Sequence, residues 1–217
     1  MSLYTPASFA TQDRAAIARV MHEHPFATLI TAAAPETLVS HLPLLLVPGC
    51  EPHGTLIGHV ARANPHWQHA RDAPSIAVFH GPHAYVSPSW YGEPARMVPT
   101  WNYVTVHAHG MIDIVEDAVD AQGIIDALVQ RFESTRAAPW KFMREERERD
   151  ALMGAIVPFR MRLRRIDAKF KLSQNRSRDD RARVIGALRE ENFPEADATA
   201  DWMQLYANPD SGRDEPR

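Results

Sequence analysis

The sequence predicts a mainly β protein, an antiparallel barrel carrying peripheral helices. Two observations carry that prediction. Strand-like segments crowd the first half of the chain, joined by short turns with one short helix among them. The regular strand–helix alternation that builds a doubly wound parallel sheet is missing. With 217 residues, 45% of them apolar and 24% charged, the chain can bury one sizeable core.

The first element is a helix. Ile17, Val20 and Met21 recur at helical spacing after Thr11 to Asp13, and Pro25 stops the run. A strand at Phe26 to Thr31 follows, then a turn at Pro35-Glu36 and a second strand from Leu38 to Val47. Pro43 marks that strand as an edge or a bulge, because proline cannot donate to a ladder. Thr55 to Ala61 reads as a third strand, and Asn64 with Pro65 opens a helix running to about Arg71. Ser75 to His80 and Ala84 to Ser87 read as two short strands. Three prolines and a glycine then make residues 88–99 a loop that also holds Trp90 and Tyr91.

A long strand comes next. Val104, Val106, Ala108, Gly110, Ile112 and Ile114 share one face; Thr105, His107, His109 and Asp113 share the other. Asp117 to Ser134 predicts a helix with a stripe at Ala121, Ile124, Ile125, Leu128 and Phe132, and Trp140 to Met153 a charged helix. Phe159, Met161 and Leu163 alternate with Arg160, Arg162 and Arg164 along a last strand. Lys169 to Arg176 leads into a helix capped by Ser177, and a short helix lies around Trp202 to Tyr206. No repeat and no domain boundary is visible: a single domain reaches residue 208, with a frayed tail over 209–217.

Formal charge is −3, from 24 basic and 27 acidic side chains, so nothing general draws this chain to nucleic acid or acidic lipid. The one cysteine, Cys50, sits in a predicted turn and allows no intrachain disulfide. No signal peptide and no run of about 18 apolar residues is present, which predicts a cytoplasmic protein.

Familiar nucleotide cradles and the nucleophile elbow of serine hydrolases are absent. His66 and His69 share a helix, and His107 and His109 a strand face, but no His-Glu-x-x-His or cysteine pair accompanies them, so no metal is expected. Three segments stand out by chemistry. In His59-Val60-Ala61-Arg62-Ala63-Asn64-Pro65 an arginine lies at a strand end beside a helix N-terminus, where a phosphate would gain a bidentate contact; a plain surface arginine is the alternative. Residues 81–91 and 98–103 cluster aromatics with Ser, Thr and Asn, suited to a planar heterocycle with a polar edge or, equally, to core and turn packing. The Lys169 to Arg176 stretch suits a phosphate, a partner or a solvated edge.

Together these segments resemble the PaiB family of FMN-binding proteins, often labelled negative transcriptional regulators. The resemblance rests on His24-Pro25-Phe26, His41-Leu42-Pro43, Gly58 to Pro65, Gly81 to Tyr91, Val98 to Tyr103 and Lys169 to Arg176, in chain order over about residues 1–192. It implies a split β-barrel that dimerises with FMN near the subunit interface. It places the FMN phosphate at Arg62 and the isoalloxazine along Ser40, His41, Leu42 and Pro43. His59, Val60, Asn64, Tyr85, Ser87, Trp101, Asn102, Lys169, Lys171, Gln174, Asn175 and Arg176 complete the implied cofactor set. Pro158 stands where the family pattern calls for glycine, and is expected to alter the start of its strand. The function implied is flavin-linked regulation through redox state or a small ligand. A flavin oxidoreductase using NAD(P)H is one alternative; a repressor contacting DNA directly is another, less favoured because the chain is net acidic and shows no helix-turn-helix.

Overall fold

The structure is a computed structural model that describes residues 3–33, 35–49, 53–71, 73–141 and 146–206. The predicted turn at Cys50 and the tail from residue 209 lie outside them. Helix α1 (Arg14–Glu23) buries Ile17, Val20 and Met21, the stripe its spacing predicts. Strands β1 (Phe26–Ala33) and β2 (Glu36–Pro43) form an antiparallel hairpin, with Phe26 opposite Pro43 and Ala33 opposite Glu36. The strand expected from Leu38 to Val47 is two strands: β2 ends at Pro43, and β3 (Leu45–Val47) starts after the fully buried Leu44. β3 pairs with β4 (Thr55–Ala61), and a short helix α2 (His66–Ala70) follows.

The two strands expected within residues 75–87 are one, β5 (Pro74–Val86). Pro82 does not break it because the ladder to β1 covers only Ser75 to Val78, so beyond that point no β1 acceptor awaits its missing N–H. β6 (Thr100–Ile114) shows the predicted alternation of burial from Val106 to Asp113. α3 (Ala118–Glu133) buries Ala121, Ile124 and Leu128, and its N-cap Asp117 accepts from the Asp120 amide. α4 (Glu146–Gly154) starts later than the helix expected from Trp140. β7 (Ile156–Lys171) joins in one strand the arginine row and the lysine pair. α5 (Arg178–Glu190) is capped by Ser177 as predicted, and α6 (Pro194–Leu205) is longer than expected.

The strand order is β2-β1-β5-β6-β7-β4-β3. β2 and β3 stand at its two ends, yet Leu44 alone separates them in the chain. One residue spans at most about 3.6 Å, so the sheet has to curl until its ends meet: it is a barrel. This also explains Pro43, which sits at the end of a terminal strand.

The chain packs as two units. One comprises Ala15–Phe79 and His107–Ile166; the other comprises Met1–Arg14, His80–Val106 and Asp167–Arg217. The first holds Met21, Leu29, Leu44, Leu56, Phe159 and Met161 as fully buried side chains, and Ile57 packs on Ile124 and Leu128 of α3. Gly58 is needed here, since a Cβ would stand 2.6 Å from Leu44 Cδ2. The second unit is built around Phe170, Leu172, Leu188 and Met203, with Trp202 and Tyr206 stacked nearly parallel at 6.0 Å.

Candidate functional site

In the first unit the candidate residues gather where β4 runs into α2. Ser40 and Leu42 point inward from β2, while His41 faces out, 3.2 Å from the Thr28 hydroxyl. The buried Ser40 anchors a chain of polar groups. Asn64 Nδ2 donates to Ser40 Oγ at 3.0 Å, and Ser40 lies 2.8 Å from His66 Nδ1. His66 Nε2 lies 2.8 Å from Thr31 Oγ1, which meets Ser75 Oγ at 2.7 Å, and Ser75 donates to the Ala73 carbonyl. One assignment lets every hydroxyl donate once: Ser40 to Nδ1, Nε2–H to Thr31, Thr31 to Ser75. It needs a neutral imidazole. Burial, followed by the nearby His69, holds the His66 pKa below its ordinary value and keeps it so. Asn64 Oδ1 accepts from the His66 amide, so it caps α2 from one position further out than the sequence suggests.

This network fixes the turn that carries Arg62. The guanidinium donates from Nε to the Gly154 carbonyl at 2.6 Å and from Nη2 to the Ile156 carbonyl at 2.9 Å. The Arg62 amide reaches the Ala155 carbonyl, and its own carbonyl accepts from the Trp67 indole. These two bonds use two of the five guanidinium N–H groups, so both hydrogens of Nη1 and one of Nη2 remain for a ligand. The cleft beside it, about 470 Å³, is lined by Arg62, Trp67, Arg71, Asp150, Met153 and Ile156 among others. That size suits a cofactor.

His59 and Val60 lie one turn of strand before Arg62. Val60 is buried core; His59 Nδ1 is buried without a hydrogen-bond partner among the described residues, and burial lowers the His59 pKa. Opposite His59 stands Pro158. Its carbonyl accepts from Val115, so its nitrogen faces that side too and the ladder to β4 loses no bond. β7 begins at Ile156, two residues before the proline, which therefore lies inside the strand.

The remaining candidates belong to the second unit. Lys169 is buried, donates to the Tyr4 carbonyl at 2.9 Å and lies between the Tyr4 and Tyr103 rings. Lys171 donates to Thr100 Oγ1 at 2.7 Å and to the Trp101 carbonyl. Burial, then Lys169, then Arg176 hold its pKa below the usual lysine value. Ser173 takes a left-handed backbone, φ 63°, and its hydroxyl bonds the buried Asn102, whose amide also reaches Met203 Sδ. Gln174 closes the turn through the Phe170 carbonyl and the Leu172 amide, Asn175 is exposed, and Arg176 lies over Tyr91. Ser87 caps a 3-10 turn at Pro88–Trp90. Tyr85 and Trp101 meet edge to face at 6.1 Å in a separate cleft of this unit. His66, Thr31 and Ser75 were not singled out for the site from sequence, because partners 26, 35 and 44 residues apart leave no local pattern.

Residues 3–165 match the family described as "Putative FMN-binding domain". The chain is also 33% identical over 205 residues to the Protease synthase and sporulation protein PAI 2 of Bacillus subtilis, covering 93% of this chain and 97% of that protein. The chain belongs to the PaiB family of FMN-binding proteins. FMN is the cofactor this membership carries. Solved structures agree on the split-barrel fold. The FAD and heme binding protein of Mycobacterium smegmatis superposes with a TM-score of 0.59 at 17% identity, over 80% of this chain and 78% of that one. The flavocytochrome Anf3 of Azotobacter vinelandii gives 0.58 at 10% identity, over 75% and 69%. The residues present fit FMN: a guanidinium with three N–H groups to give, an indole beside it, and a buried imidazole nitrogen without a partner among the described residues.

Proposed function

We propose that this protein is a homodimeric FMN-dependent sensor, which influences gene expression through the redox state or ligand of its flavin rather than by gripping DNA. The FMN phosphate meets Arg62 at the strand–helix junction, and the ring runs along the outer face of Ser40 to Pro43. The observation that carries this reading is the braced junction itself: a buried polar chain holds the turn, and the arginine it presents keeps N–H groups on both Nη1 and Nη2 for an oxyanion. When bound, FMN supplies the electron or hydride transfer that no side chain provides. The protein's residues bind the phosphate, orient the ring and hold the neutral His66 in place.

The arginine row argues against the repressor reading. Arg160 is paired with Asp120 at 3.0 Å and Arg162 with Asp113 at 2.7 Å, so two of its three cations already face carboxylates. Binding of DNA by phosphate contacts needs cations to spare. Titration of the purified chain with FMN and with riboflavin tests the site: FMN should bind at least about tenfold more tightly, and equal affinities would remove the phosphate contact. Sustained NAD(P)H oxidation by the FMN-loaded dimer would overturn the sensor in favour of the oxidoreductase.

A further inference from the structure

The second unit holds a cleft of about 430 Å³ that no residue of the Arg62 junction lines, though Tyr85 and Trp101 of the implied cofactor set do. Its wall comes from β5, β6 and the α5–α6 junction. His83, Tyr85, Trp90 and Trp101 supply rings from the strand side, and Phe193 supplies one from the junction. Trp101 and Tyr85 stand at 73° to one another and His83 is tilted 36° from Trp101, so faces and edges of three rings form a corner. These are large apolar groups left in water: Trp101 is 53% exposed and Phe193 61%. The charged residues lining the cleft are both acidic, Glu191 and Glu195, and no lysine or arginine is among the described residues that line it. Glu195 reaches His83 Nδ1 at 3.4 Å, so one carboxylate is already turned toward the rings.

We infer that this cleft binds a small organic cation of the substituted-ammonium class. Aromatic faces attract a cation through their quadrupole, and tryptophan does so best. An ammonium carrying methyl or methylene groups gains from burying them against the rings, while Glu191 and Glu195 balance its charge. An anion would meet two carboxylates here, and a neutral apolar ligand would leave both unused. The inference does not rest on the FMN reading, since no residue of the Arg62 junction lines this cleft.

Calorimetric titration of the FMN-loaded full chain at constant ionic strength tests it, with choline chloride as probe. Its neutral carbon isostere, 3,3-dimethylbutan-1-ol, is the control. Choline should bind saturably and the isostere at least about tenfold more weakly. The pair Glu191→Gln and Glu195→Gln should weaken choline several-fold and leave the isostere unchanged; Glu191→Gln alone, on an exposed side chain, should do so in part if the pair misfolds. Trp90→Leu should weaken both probes. The visible spectrum reports FMN occupancy in each sample, which separates loss of the flavin from loss of the cation. No choline binding, equal affinity for the two probes, or an unchanged choline affinity in the glutamine variants would each overturn the inference. Displacement of choline by added FMN would also overturn it, by assigning these rings to the flavin.

Discussion

Two parts of the chain hold candidate cations for an anionic cofactor, and they hold them differently. At the β4–α2 junction, Arg62 sits among carbonyl oxygens that stabilise its charge before any ligand arrives. At the end of β7, Lys171 also donates to oxygens, of Thr100 and Trp101, but burial, then Lys169, then Arg176 push its pKa down. A charge among acceptors serves the fold first and the ligand with what is left. A charge among like charges gains when an anion arrives. Presence of a cation and its availability are separate quantities, and counting basic residues conflates them.

Removing Arg62 should therefore damage binding and folding together. Arg62→Ala should weaken FMN by about 2–3 kcal/mol and lower the unfolding midpoint of the apo chain in a denaturant titration, because two carbonyls lose their donor. Arg62→Lys should recover part of the binding and little of the brace. Unchanged apo stability in Arg62→Ala would erase the contrast between the two regions.

His66 tests what supports the arginine. His66→Gln should destabilise the chain by about 1–2 kcal/mol and weaken FMN indirectly, since the turn bearing Arg62 loses its anchor. The pH dependence has a definite sign. His66 and His59 are neutral in the native state, with pKa values below the ordinary 6.5. The unfolded chain takes up more protons as pH falls, so stability is full above about 6.5 and declines below it. In His66→Gln that decline between pH 7.5 and 5.5 should be shallower.

Lys171→Met should behave differently from Arg62→Ala. FMN affinity should fall by about 1 kcal/mol, with apo stability within about 1 kcal/mol of the parent. A large loss of apo stability would make Lys171 a second brace. The smallest effect belongs to Ser173→Gly. Glycine relieves a left-handed backbone worth about 1–2 kcal/mol, but the hydroxyl bond to Asn102 is lost, and the sum should stay within about 1 kcal/mol in thermal unfolding.

The contrast also shows what the sequence makes visible. Period-two burial along β6 from Val106 to Asp113, the stripe of α1, and Ala121, Ile124 and Leu128 of α3 are local patterns that read correctly, whereas Thr105, placed on the outer face, is buried and Phe132, placed in the stripe, is exposed. The Ser177 cap is equally local. Pro43 read correctly as an edge signal, whereas the break expected between His80 and Ala84 does not occur, because a proline's cost depends on whether a neighbouring strand needs its N–H, and neighbours are set by topology. At the candidate site, the segment holding Arg62 was legible as a strand running into a helix. Its commitment to Gly154 and Ile156 was not, since those carbonyls lie about ninety residues away in sequence and carbonyls carry no residue signature.

The single-residue step at Leu44 has a consequence for the order of assembly. β1 with β2, and β3 with β4, are hairpins between near neighbours, cheap to close and joined directly to one another. β7 has to arrive from far along the chain to set Arg162 against Thr55 and Ile156 against Ala61. That pairing closes a longer loop than either hairpin and is expected to form later than they do. Gly58 and Gly110 both face it, the first opposite Phe159 and the second with Arg162 main chain where a Cβ would stand. The two glycines thus keep open the seam through which the last strand enters.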